Sequence, residues 1–113
     1  MKEIIFNDIK FVIGQNALEN WYLLDYYKKI NNQYTWFHLN SFPSCYVIMC
    51  YDINDNYHNN IELLNYGAQL CKTYTKYKNL KNLKICYSSL NKLIKSQKIG
   101  EVIITGKKNI ILI

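Results

Sequence analysis

The chain has 113 residues, half of them apolar or aromatic, with fourteen lysines against eight acids and a formal net charge of +6. That length suits one domain with its own core, and the apolar content excludes a disordered chain. No apolar run approaches the ~20 residues of a membrane span, and Met1-Lys2-Glu3 leads into too short an apolar stretch for a secretory signal.

In chain order, Glu3 to Phe6 and Lys10 to Ile13 are expected as strands around an Asn7-Asp8 turn. Gly14 breaks the pattern and would let the chain turn from strand into helix. Asn16 followed by Glu19 fits a capping box, opening a helix that runs to about Ile30 with Leu18, Trp21, Leu24, Tyr27 or Lys28, and Ile30 as its apolar stripe. Thr35 to Leu39 is an aromatic-rich strand. Asn40 to Ser44, with the only proline, Pro43, is a turn, and Cys45 to Tyr51 is apolar enough for a central strand.

Asp52 to Asn60 is polar and expected to be a mobile loop. A second helix follows from about Asn60 to Lys76, with Ile61, Leu64, Ala68, Cys71 and Thr75 on one face and Leu63, Gly67, Leu70 and Tyr74 widening it. Leu83 to Ser88 is a strand, while Leu90 to Lys98 fits a helical turn, a strand or an ordered loop. Glu101 to Thr105 and Asn109 to Ile113 are expected to pair as a hairpin around Gly106-Lys107-Lys108. The order β-β-α-β-β-α-β-β-β implies an α+β domain with a largely antiparallel mixed sheet and two main helices.

Charge is unevenly spread. From Lys72 to Lys98 there are eight lysines (Lys72, Lys76, Lys78, Lys81, Lys84, Lys92, Lys95 and Lys98) and no acid, so the rest of the chain is slightly acidic. A one-signed face attracts polyanions, and Tyr74, Tyr77 and Tyr87 among the lysines could stack on bases. A solvated face kept for solubility accounts for the charge equally well. There is no arginine, so any phosphate contact uses lysine point charges rather than a bidentate fork.

Cys45, Cys50, Cys71 and Cys86 sit in apolar stretches and form no C-x-x-C pair, which suits buried thiols in a reducing compartment, the cytoplasm. No metal site and no cofactor are expected. His58 falls in the Asn-rich loop. His38 shares a strand face with Trp36, opposite Phe37, so Trp36 and His38 would face a surface or groove. No nucleophile or carboxylate stands at a suggestive spacing from His38, and no phosphate-binding or hydrolase motif occurs, so no enzyme is expected.

The order Gly14-Gln15-Asn16-Ala17-Leu18-Glu19-Asn20, then Trp36-Phe37-His38, then Pro43-Ser44-Cys45-Tyr46-Val47 resembles the NFACT RNA-binding domain (NFACT-R). That family occurs at the C-terminal end of ribosome quality-control and fibronectin-binding-like proteins, and as a near-standalone module. Leu83 to Ser88 looks like the family's strand before its basic segment, Lys92 and Lys95 match that segment, and Gly100-Glu101-Val102 looks like its following Gly-x-Val. The chain departs at Gln15, where the family often has Arg, and at Tyr46, where it usually has His. The standalone relatives continue into a helical tail, whereas this sequence stops at Ile113.

The resemblance implies a binding module for structured RNA such as tRNA or ribosomal RNA, with DNA also possible and other translation proteins or the ribosome as further partners. Its implied contacts are Gln15, Asn16, Asn20, Trp36, His38, Ser44 and Tyr46 in a groove, with free N–H groups of the helix start nearby. Lys72, Lys76, Lys78, Lys92, Lys95 and Lys98 would contact phosphates. Lys81 and Lys84 flank or enter a strand and are expected only to face solvent. The alternative is a protein-interaction module whose basic face meets an acidic partner. The oligomeric state stays open.

Overall fold

The computed structural model describes residues 1–40, 42–54 and 60–113. Its main sheet has six strands in the order β1-β2-β4-β3-β5-β8, every neighbouring pair antiparallel. These are β1 (Lys2–Phe6), β2 (Ile9–Gly14), β3 (Thr35–Leu39), β4 (Tyr46–Met49), β5 (Lys84–Ser89) and β8 (Asn109–Leu112). Two short strands, β6 (Leu93–Lys95) and β7 (Val102–Ile104), pair separately, and the helices are α1 (Ala17–Ile30) and α2 (Asn60–Thr73). The α+β class and the element order are those expected, with the ambiguous Leu90–Lys98 segment forming a 3-10 turn (Leu90–Lys92) followed by β6. Among the described residues no helix is long and apolar enough to cross a membrane.

Both faces of the sheet are covered, which is why β4 has no polar alternation. On one face α2 buries Leu63, Ala68, Leu70 and Cys71 against Phe11, Phe37, Val47 and Ile85. Gly67 sits so close over the Phe37 ring that a Cβ there would collide with it. On the other face α1 and the β6–β7 pair bury Leu23, Leu24, Tyr27 and Leu93 against Val12, Trp36, Tyr46 and Ile48. The period of two along β3 thus sends Phe37 into one core and Trp36 into the other.

Several local expectations differ from the structure. The Glu101–Thr105 and Asn109–Ile113 hairpin does not form: β7 pairs with β6, while β8 crosses to the edge of the main sheet beside β5. Gly106, with φ 80, supplies the turn but not the pairing. At the edge of the main sheet the apolar side of β8 is covered, with Ile111 packed against the core.

The α1 stripe read in sequence is right in part. Leu24 and Tyr27 are buried as expected, together with Asn20 and Leu23, whereas Leu18 is 70% exposed and Ile30 also faces solvent. On α2, Ile61 is 77% exposed, and the helix stops at Thr73 rather than Lys76. Gly14 ends β2 without a positive φ; its value is close approach, since a Cβ would strike the Asn20 and Leu23 side chains. His58 and most of its loop lie outside the described residues.

Candidate nucleic-acid interface

The Asn16 side chain caps α1 by accepting from Glu19 N at 2.9 Å, and the reciprocal bond is displaced by one residue, Glu19 Oε1 accepting from Gln15 N at 3.1 Å. This fixes the start of α1 beside the sheet. One turn in, Asn20 accepts from Tyr46 N (3.2 Å) and donates to Ser44 O (3.4 Å), closing the end of β4 where pairing with β2 stops. The Ser44 hydroxyl accepts from Leu39 N at 3.1 Å and sets the β3–β4 connection. Asn16 Oδ1, both polar atoms of the Asn20 side chain and the Ser44 hydroxyl are therefore engaged in holding the fold.

These residues border a cleft of about 640 Å³. Its floor is aromatic. Trp36 and His38 stack with centroids 5.5 Å apart and planes 8° from parallel, and Tyr46 meets both edge-on at 5.3 and 5.4 Å. Trp36 and Tyr46 are nearly closed off, 2% and 1% exposed, while His38 is half-buried. Burial holds the His38 pKa down at about 4, with only a weak opposing hydrogen bond at Leu39. The ring is neutral near pH 7 and can donate or accept one hydrogen bond without bringing charge. The buried Trp36 indole N–H has no acceptor among the described residues.

Tyr46 stands where a titratable His was expected from the resemblance, and its role here is mechanical. Its hydroxyl donates to Gly100 O at 2.6 Å, and burial, with Glu101 second, keeps the phenol protonated. Gly100 has φ 87 and lies against Ala17, leaving no room for a Cβ. The turn that carries it, closed by Ser96 N to Glu101 O and Glu101 N to Lys98 O (both 3.0 Å), forms the far wall. On the near wall Lys108 donates to Asn40 Oδ1 at 2.9 Å.

Of the residues singled out in sequence, Asn16, Asn20, Trp36, His38, Ser44, Tyr46 and Lys98 line this cleft. Gln15 is exposed outside it, and the other lysines are dispersed. Lys72 donates to Ile113 O at 3.1 Å, Lys76 lies over the Tyr77 ring, and Lys95 pairs with Asp25 at 2.6 Å above Trp21. Lys78 and Lys92 are exposed and line neither hollow.

A second hollow of about 370 Å³ shares Asn40 and Phe42 with the first and is lined by Lys81 and Lys84. Lys108, Lys84, Lys81 and Phe42 were thus missed as a group. No local signal could have joined them, because β8 and β5 bring them together from separate stretches of chain. Among the described residues no three His, Cys, Asp or Glu side chains converge as a metal site would.

No family model matches the chain, and no curated protein matches it. Among solved structures it resembles the C-terminal part of the fibronectin/fibrinogen-binding protein from Streptococcus suis, with a TM-score of 0.81 and 22% identity over 98% of this chain. This chain spans 43% of that one, and at this identity the likeness is one of fold.

Proposed function

We propose that this chain is an RNA-binding module of NFACT-R type, acting in the cytoplasm on structured RNA such as tRNA or ribosomal RNA, without catalysis of its own. The observation that carries this reading is the aromatic-floored cleft with Lys98 and Lys108 on its walls and Lys81 and Lys84 in the adjoining hollow. A neutral His38 beside a stacked indole suits a base, which needs a π-face and hydrogen-bonding groups. Lysines that are not tied to acids suit phosphates. The fold likeness to the C-terminal part of a fibronectin/fibrinogen-binding protein agrees with the family resemblance of the sequence motifs. Linkage to translation or ribosome quality control rests on that resemblance, and DNA is a secondary ligand in the same reading.

The binding test is a salt series on a labelled, tRNA-sized RNA. With four to six phosphates engaged, the log–log slope should be roughly −3 to −5. A slope near zero, or no binding at 50 mM salt, would rule the reading out. One observation favours a second reading: the structural neighbour is named for two protein ligands, fibronectin and fibrinogen. In that reading the basic face meets an acidic protein surface. Crosslinking in the native cell, followed by sequencing of bound nucleic acid, separates the two, because the second recovers protein and no enriched RNA.

A further inference from the structure

The two hollows are not equivalent in charge. The larger has Lys98 and Glu101 on one wall, three residues apart on the same turn, so that wall is close to neutral. Its other wall carries Lys108, held by Asn40, and Asn40 also belongs to the second hollow. Past Asn40 the second hollow adds Lys81 and Lys84 and no acid. A line of positive charge therefore leaves the cleft on one side only. Phe42 stands at the junction, 40% exposed and tilted against Tyr77 with centroids 4.6 Å apart. A large aromatic left in solvent between two hollows is a stacking platform.

Resting on the RNA-binding reading, we propose that the joined hollows form a track for a short unpaired stretch of RNA. One base seats in the larger hollow against the half-buried His38, and the next stacks on Phe42. The backbone between them runs along Lys108, Lys84 and Lys81. The larger hollow lies within the ~300–1,000 Å³ of small-ligand sites, room for one nucleotide and not for a helix. A paired base cannot enter, because the faces and edges the cleft would contact are covered in an A-form duplex. The lysines expected to lead from sequence are secondary in this arrangement: Lys72, Lys76, Lys92 and Lys95 line neither hollow.

The test uses the full chain and two labelled RNAs of equal strand length, an unstructured single strand and a fully paired blunt duplex without a loop, titrated by fluorescence anisotropy. The single strand should bind at least tenfold tighter. K84E/K108E should cost it tenfold or more, Phe42→Ala at least threefold, and K76E/K78E less than threefold. Circular dichroism confirms folding, and K81E/K84E, both exposed, replaces the first variant if the loss of the Lys108–Asn40 bond unfolds it. Equal binding of strand and duplex overturns the track and leaves RNA binding standing, as does a loss confined to K76E/K78E. If neither RNA binds, the RNA-binding reading itself falls.

Discussion

At the scale of single residues, the cleft is governed by two side chains whose protonation the fold dictates. The Tyr46 hydroxyl bonds β4 to the turn carrying Gly100. Tyr46→Phe removes it while keeping the ring contacts, so urea denaturation should show a loss of about 1–2 kcal/mol, the cost of a half-buried carbonyl left unpaired. His38 contributes a pH dependence. Its folded pKa of about 4 lies below the unfolded 6.5, so below pH 6.5 the unfolded chain binds the extra proton. Stability from this residue is intact above about pH 6.5 and is lost on acidification toward pH 4. Between pH 7 and 4.5 the loss should be about 2–3 kcal/mol greater in the wild type than in His38→Gln. Equal losses would mean that His38 is far more open to water than its place on the cleft floor implies. RNA affinity, in contrast, should not gain from a cationic His38 anywhere between pH 6 and 8.

At the scale of elements, the sequence located most helices and strands but misjudged some of their faces and partners. The start of α1 was legible because a capping box is a local device, complete within Gln15 to Glu19. Its buried face was legible only at Leu24 and Tyr27, because Asn20 breaks the apolar pattern by being a buried polar clamp, while Leu18, Tyr22, Tyr26 and Ile30 repeat every four residues on the outside. The two faces should respond differently to substitution. Leu23→Ala, in the core beneath α1, should cost about 2–5 kcal/mol by chemical denaturation, and Leu18→Lys less than about 0.5 kcal/mol. A large loss at Leu18 would show that this outer face is covered. The closing hairpin failed for a related reason. Gly106 announces a turn, but turn chemistry does not choose among sheet edges, and the contacts of Ile111 are long-range. With β8 misplaced, Lys108 could not be put beside Asn40, and half of the candidate site stayed out of view.

At the scale of the molecule, the cleft joins two parts of unequal strength. Its floor belongs to β3 and β4, central strands buried on both faces and paired on both sides. Its far wall belongs to the Ser96–Glu101 turn and the β6–β7 pair, three residues per strand, whose inward side chains are few and whose Ile94 and Ile103 face solvent. Among the described residues, polar links that fasten the wall to the body run from Tyr46 to Gly100, from Lys28 to Leu93 O, and from Lys95 to Asp25. An exposed ion pair such as the last adds little, about 0–1 kcal/mol. A two-stranded unit held this way opens well below the free energy of global unfolding, while the central strands open only with the whole fold. Hydrogen exchange should therefore report two classes of amide. Those of β3 and β4 should exchange slowest, and those of β6, the 96–101 turn and β7 should exchange at least tenfold faster. Adding single-stranded RNA should slow both classes, because a ligand that binds only with the wall closed is lost both when the wall opens and when the whole fold opens. Uniform exchange across both classes would make the wall an integral part of the core. The cleft would then be a rigid slot that RNA must fit as it stands.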